Sequence, residues 1–420
     1  MMAENSKNKL IVKKYGGMTL SDPEKIKSVA ADLAENYNNG FDLIVVVSAM
    51  GKTTDSLIEL AQKITINPNP RELDMLLTVG ERISMSLLSM ALIDLGIPAI
   101  SLTGSQAGIL TTNSHSNAMI TDIQSPRITA ALKEKKVVIV AGFQGVCPLN
   151  KEITTLGRGG SDTTAVAIAS RFKALRCEIL KEVPSVFSAD PSLLPQAKPL
   201  HDLKYDELLD MTFWGAKVLH YRSVELASIK KVSLSVGPAH FKNQNLQNKP
   251  TQINTSNHML LTQELSEKDN SKMFESQKIL SINGHKKIIC IKSTSKDSAQ
   301  ALQNFLDHLE KNQIAAPQVL HINDSGINIE IYFTSSSEIL TFIENAPKTE
   351  DFMILNNNLS SVTTTVTGNS SPYVALHLLN ALKKNHLTVH KVLFSALSLT
   401  VFINANDYIQ TLEICHNGLA

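Results

Sequence analysis

The sequence predicts an α/β protein: a three-layer αβα domain on a mostly parallel sheet, followed by two small α+β domains of ferredoxin-like pattern. Three observations carry this. Short apolar runs alternate with helical stretches through the first 170 or so residues. Glycines gather at the carboxyl ends of those runs, where an open parallel sheet holds its ligands. Two weakly similar βαββα patterns follow a polar stretch in the second half. The expected boundaries are 8–240 for the first domain, 241–275 for a linker, and 276–347 and 348–420 for the small domains.

The first apolar run, 10–12, leads through Lys13 into Lys14-Tyr15-Gly16-Gly17. A lysine at a strand end before two glycines suits a phosphate, with charge from Lys14 and amides from the glycines. A solvent-facing lysine beside a turn reads equally well from these residues alone. Residues 22–35 form an amphipathic helix with Ser21 or Asp22 as its cap. Residues 41–47, apolar apart from Asp42, read as a strand at the centre of a parallel sheet and lead through Ser48 and Gly51 into a helix near Thr54. One long helix is expected over 76–95, with Glu81 in its first turn, where the dipole favours a carboxylate. A strand and a loop follow over 98–109, the loop at 103–108, and a buried strand over 137–145 ends in a glycine turn around Phe143.

The organising stretch is Leu156-Gly157-Arg158-Gly159-Gly160-Ser161-Asp162-Thr163-Thr164-Ala165, a glycine loop heading a small-residue helix. Ser161 or Asp162 is the expected N-cap. The loop lets backbone approach a ligand, and the helix start offers amides to an anion. Arg158 supplies a planar fork for a carboxylate and Asp162 a partner for an amine, which fits an amino acid better than a dinucleotide. A tight turn before a packed helix accounts for the same residues without chemistry, and no Walker-type lysine is present. Further strands are expected at 177–187 and at 231–236, the latter as the last of the first domain.

From 240 to about 273 the chain is rich in Asn, Gln, Lys and Ser, with a short strand near 251–255. The first small domain has strands at 278–280, 287–291, 316–322 and 326–333 and helices at 299–312 and 338–345. The second has strands at 361–366, 389–395 and 397–403 and helices at 372–385 and 408–416.

With 43% hydrophobic and 19% charged residues, the 420-residue chain reads as soluble and globular. A formal net charge of +1 argues against a nucleic-acid or membrane surface. The polar start carries no secretory signal, and no apolar run reaches transmembrane length. Cys147, Cys177, Cys290 and Cys415 have no metal-ligand spacing and read as buried thiols of a reducing cytoplasm. His377, His386 and His390 read as surface or packing residues, so no metal site is expected.

These motifs resemble aspartokinases of the amino-acid kinase superfamily. The glycine stretch resembles that family's signature, and Lys14-Tyr15-Gly16-Gly17-Met18-Thr19 resembles its lysine-aromatic-Gly-Gly-Thr-Ser motif, with Met18 in place of Thr. Ser48-Ala49-Met50-Gly51-Lys52-Thr53-Thr54-Asp55, Gly80-Glu81 and Trp214-Gly215-Ala216-Lys217-Val218 match as well. The resemblance implies phosphorylation of the β-carboxylate of L-aspartate by ATP with Mg2+, opening the route to lysine, threonine, methionine and diaminopimelate. It implies catalytic roles for Lys14, Asp162 and Lys217. Substrate would be held by Ser48, Thr54, Glu81, Phe143, Arg158, Ser161 and Asp162. Nucleotide would be held by Lys14, Gly16, Gly17, Lys181, Glu182, Phe187, Lys217 and Val218. The small domains would be ACT-type regulatory domains that bind an end-product amino acid and pair between chains, giving a cytoplasmic homodimer or larger. The pair of β-rich units reads equally as an interaction module.

One segment departs from the family. Its nucleotide lip reads Tyr-Thr-Asp-Val-Asp-Gly-Val-Tyr-Thr-Ala-Asp-Pro-Arg. Here Lys181 and Glu182 replace Thr-Asp, Pro184 and Ser185 replace Asp-Gly, Phe187 replaces Tyr, and Ser192 replaces Arg. Pro184 removes an N–H and fixes φ, so the usual turn is lost. Two further readings therefore stand beside the aspartate kinase: a kinase of another small acid, and an amino-acid sensor that has kept its substrate pocket but not its nucleotide lip.

Overall fold

The computed structural model describes residues 9–239, 249–254, 279–293, 297–312, 314–324, 329–336, 339–340, 352–366, 372–395 and 397–417. Most of the 241–275 stretch, and residues 294–296 and 367–371, fall outside these. The chain forms two compact units.

The first unit holds the described residues to Val186, then Pro199–Leu209, then those from Val218 to Asn254. Its main sheet has eight strands in the order Asp202–Lys204, Thr251–Asn254, Leu234–Pro238, Arg176–Lys181, Leu10–Tyr15, Asp42–Val47, Val137–Ala141, Ala99–Leu102. Every neighbouring pair is parallel except Leu234–Pro238 with Thr251–Asn254. The uninterrupted runs Ile11-Val12 and Leu43–Val47 are buried because the central strands are covered on both faces. Helices Pro23–Asn38 and Val79–Asp94 close one face through Val29, Leu33, Leu88 and Leu92 against Ile11, Leu43, Val45 and Ile139. A small second sheet joins Ile120–Ile123, Ile109–Thr111, Gln144–Val146 and Ile153–Thr155.

Asp22 caps the first helix by accepting from the Lys25 amide at 3.0 Å, as its sequence suggests. Three expectations are corrected. The helix expected at 76–95 is two, Pro70–Leu77 and Val79–Asp94, divided at Thr78; Asn69 caps the first through the Arg71 and Glu72 amides. Together, Pro70–Asp94 is long and apolar enough to pass for a membrane span, contrary to the reading that no apolar run reaches that length, and half of its most apolar window is buried in the fold. The strand ending at Pro238 is not the last of its sheet, since Thr251–Asn254 adds beside it.

The second unit holds Phe187–Lys198, Asp210–Lys217 and the described residues from Ile279 onward. Its sheet is antiparallel and runs Val319–Asp324, Ile329–Thr334, Ile288–Ser293, Phe352–Val366, Ser398–Asn404, Val389–Phe394, with Ile279–Asn283 also on Phe352–Val366. Both βαββα patterns thus share one sheet through a 15-residue strand. The sequence shows only 361–366 of it, because Asn356-Asn357-Asn358 has low strand propensity. Helix Ser298–Lys311 packs Ala301, Phe305 and Leu309 on Ile289, Ile291 and Phe333. Helices Pro372–Lys384 and Tyr408–Asn417 cover the other repeat through Leu378, Leu382, Leu412 and Cys415. Ala189 and Leu194 belong to that same core, so the segment after the lip is built into the second unit. Of the helix expected at 338–345, only 339–340 lie within the described residues.

Candidate active site

The candidate site lies at the carboxyl ends of the central parallel strands: Lys14 and Lys181 near the ends of Leu10–Tyr15 and Arg176–Lys181, Ser48 and Phe143 just beyond Asp42–Val47 and Val137–Ala141. Strand alternation gives adjacent lysines different surroundings. Lys13 pairs with Asp32 at 3.0 Å and Glu178 at 3.4 Å, and Tyr15 donates to Asp32 at 2.8 Å. Lys14 faces the other way and pairs with Asp162 at 2.6 Å, both side chains being 7% exposed. Burial alone would raise the Asp162 carboxyl; Lys14, Lys181 and His220 outweigh it and hold the group below the usual carboxylate range.

The helix carrying Asp162 is Gly160–Arg171. Its cap corrects the sequence expectation. Gly159 is the N-cap, at φ 70°, with no side-chain cap bond, and Ser161 and Asp162 are buried in the first turn. A side chain at Gly159 is excluded twice over, by that backbone angle and by His220, whose Cβ would lie 2.1 Å from an added Cβ. Phe143 is held at φ 68°, a rare angle for a bulky residue; its amide donates to Thr164 Oγ1 at 3.3 Å and its carbonyl accepts from Leu156 at 2.8 Å. Arg158 is exposed and, among the described residues, free of ion pairs.

Glu81 is 3% exposed. Its Oε1 accepts from the Ala49 amide at 3.1 Å, and its Oε2 is buried with no hydrogen-bond partner among the described residues. Burial pushes its carboxyl up to about 7, against the opposing pull of its backbone hydrogen bonds and of Lys14. An orphaned carboxylate oxygen is the acceptor that a ligand ammonium needs. Ser48 and Thr54, half-buried, flank the loop that carries Ala49.

At the turn after the first strand, Gly16 has no free amide to offer a phosphate: that N–H donates to Leu180 O at 3.0 Å. Gly17 is required by close approach, since an added Cβ would lie 2.6 Å from Ala49 O. Lys181 donates to the carbonyl of Val218, and burial lowers its pKa despite Asp162. Glu182 is exposed, and the Ser185 hydroxyl is buried with no partner among the described residues. Phe187 and Lys217 lie in the second unit, where Lys217 faces Asp190 at 3.8 Å. Lys14, Asp162, Lys181, Val218, Glu81 and Arg158 all belong to the first unit.

Sequence reasoning missed His220, Asp74 and Arg222. His220 caps helix Tyr221–Ile229 through the Arg222 amide while packing on Gly159. Its one visible signal is its place beside the Trp214–Val218 motif. Asp74 and Arg222 carried no local signal. No group of His, Cys, Asp and Glu able to hold a metal occurs among the described residues, and all four cysteines are buried and unpaired.

Buried lysine, aspartate and glutamate side chains thus gather at the carboxyl edge of a parallel sheet. The family model described as the amino acid kinase family matches residues 9–237. The chain belongs to that family. Over 227 residues, 54% of this chain, it is 51% identical to the aspartokinase of Mycolicibacterium smegmatis and 50% identical to that of Geobacillus stearothermophilus. The chain matches about half the length of these relatives, 54% and 56%. Its fold is similar to E. coli aspartokinase III in complex with aspartate and ADP, at 19% identity and TM-score 0.77, covering 98% of this chain and 99% of that one. The aspartate kinase of Synechocystis aligns at 29% identity and TM-score 0.53, covering 98% and 69%.

Proposed function

We propose that the protein is an aspartate kinase, transferring the terminal phosphoryl group of ATP to the β-carboxylate of L-aspartate to give 4-phospho-L-aspartate. The observation that carries this is the buried Lys14–Asp162 pair at 2.6 Å together with the unpartnered Oε2 of Glu81. Glu81 and Asp162 take the substrate ammonium, and Arg158 takes the α-carboxylate as a bidentate fork. Ser48, Thr54, Phe143 and Ser161 shape the pocket and orient the attacking carboxylate. Lys14 and Lys181 face the phosphates, with Gly17 giving them room; Glu182, Phe187, Lys217 and Val218 are assigned to the nucleotide on the resemblance alone. A carboxylate nucleophile has no proton to lose, so catalysis is positioning and charge neutralisation, with no general base. Magnesium fits as an ion carried on the triphosphate, where phosphate oxygens and water supply most of its donors; when bound it neutralises charge on the transferring group.

The second unit is assigned as a pair of ACT-type regulatory modules in a cytoplasmic homodimer or larger. Its two βαββα repeats support this, as does the fold likeness to E. coli aspartokinase III, which was also solved in complex with lysine and aspartate, at TM-score 0.65. ADP release measured with aspartate, with glutamate and with no acceptor, alongside aspartate calorimetry, tests the reading. Release stimulated by aspartate alone is expected. Release with glutamate would reassign the acceptor, and aspartate binding without any turnover would make the chain a sensor.

A further inference from the structure

The turn that presents Arg158 is gripped from behind. The Arg222 guanidinium, half-buried on helix Tyr221–Ile229, donates to Leu156 O at 3.0 Å, to Ala118 O at 2.6 Å and, at 3.5 Å, to Asn117 Oδ1. It has no carboxylate partner among the described residues, and burial lowers its pKa. A guanidinium desolvated onto neutral oxygens gains little as an ion pair; what it fixes is the spacing of two backbone segments. Those segments meet again elsewhere. Ala118 N donates to Thr155 O at 2.8 Å, and an added Cβ on Gly157 would lie 2.9 Å from Ser116 O.

Asp74 holds the same loop from the opposite side. It is fully buried, and it accepts from Thr155 Oγ1 at 2.6 Å and from the Ser116 amide at 3.1 Å while bonding His115 Nδ1 at 2.8 Å. Residues 155–157 are therefore fixed by Phe143 O, Arg222, Asp74 and the 115–118 loop, while the Arg158 side chain that follows is left exposed. A rigid turn that ends in a free guanidinium is preorganised to clamp an anion.

We propose that Arg222, supported by Asp74, is a positioning residue for the substrate carboxylate: it touches no reactant and acts by fixing the turn that aims Arg158. This rests on the reading of Arg158 as the carboxylate clamp. The test is Arg222→Lys, which keeps the charge but cannot span two carbonyls. Aspartate affinity is expected to fall about tenfold, the KM for aspartate to rise in step, kcat at saturating aspartate to stay within about twofold, and ADP affinity to stay unchanged. A merely structural role would move ADP affinity and melting temperature along with aspartate affinity, and that pattern overturns the proposal. So does an unchanged aspartate affinity. Arg158→Ala is measured in parallel: if it leaves aspartate binding intact, the reading of the clamp is itself wrong, whereas a loss with Arg158→Ala and none with Arg222→Lys sinks only the positioning role. If Arg222→Lys does not fold, Arg222→Gln, which keeps an amide donor for one carbonyl, replaces it with the same expectations.

Discussion

At the scale of residues, the proposed amino-acid side rests on two side chains, Glu81 and Arg158. Glu81 is protonated more readily in the folded protein than in the unfolded chain, since burial lifts its carboxyl from 4.5 to about 7. Between those values the folded state holds an extra proton, so the stabilisation from neutral Glu81 is complete below pH 4.5 and is lost as pH rises through about 7. A substrate ammonium needs the ionised form. Aspartate binding is therefore expected to weaken as pH falls below about 7 and to release a proton from Glu81. Calorimetry of aspartate in buffers of different ionisation enthalpy at pH 6.5 and 8 checks this; an equal proton count at both would remove Glu81 from the amine site. For Arg158→Lys, truncating a buried charge pair would cost about 2–4 kcal/mol, but this guanidinium is exposed before substrate arrives. A loss of about 1–2 kcal/mol in aspartate binding, with ADP binding unchanged, is expected by calorimetry.

Among the elements, the nucleotide lip is where this chain departs from the aspartokinase pattern. Losing two polar contacts of about 1.5–3 kcal/mol each weakens a ligand by a hundredfold or more. Lys181 offsets part of that loss, but in the structure it is bound to Val218 O. ATP affinity is expected to be weak beside an ordinary aspartate affinity. The graft Lys181→Thr, Glu182→Asp, Pro184→Asp, Ser185→Gly and Ser192→Arg is expected to tighten ATP and leave aspartate unchanged. Calorimetry at fixed magnesium compares the two proteins, and low-micromolar ATP affinity in the wild type would refute the idea. Elements were legible wherever pattern and burial agree: 41–47 reads as a central strand because Leu43–Val47 is buried on both faces. Lys14, Glu81 and Asp162 stand out in their own motifs, and the structure buries all three, with Lys14 and Asp162 paired at 2.6 Å. Arg222 was not legible, since its partners lie 66 and 104 residues away and nothing local marks them. Nor was the Gly159 cap, where a left-handed backbone angle and the His220 side chain packed close by leave room only for glycine, and Ser161 and Asp162 fall inside the first turn.

For the molecule as a whole, the assignment of a regulatory role to the second unit makes a direct forecast. Lysine, threonine and methionine are to be titrated against activity and thermal stability of the full chain. At least one is expected to lower the former and raise the latter, because a ligand bound only by the folded state stabilises it by mass action. If none moves either quantity, the unit serves another partner.

The strand Phe352–Val366 has a consequence for how the chain is made. Ile279–Asn283 pairs with Thr363–Val366, and Ile288–Ser293 with Phe352–Leu359. On a ribosome, these strands emerge long before their partner exists. Until Val366 clears the exit tunnel, Ile279–Asn283 has no edge to join, and closing so long a loop is slow. Ile288–Ser293 can pair earlier with Ile329–Thr334 and pack Ile289, Ile291 and Phe333 under helix Ser298–Lys311, but its other edge stays open until the middle strand is made. That interval is when a nascent chain most needs a chaperone to shield its apolar edges.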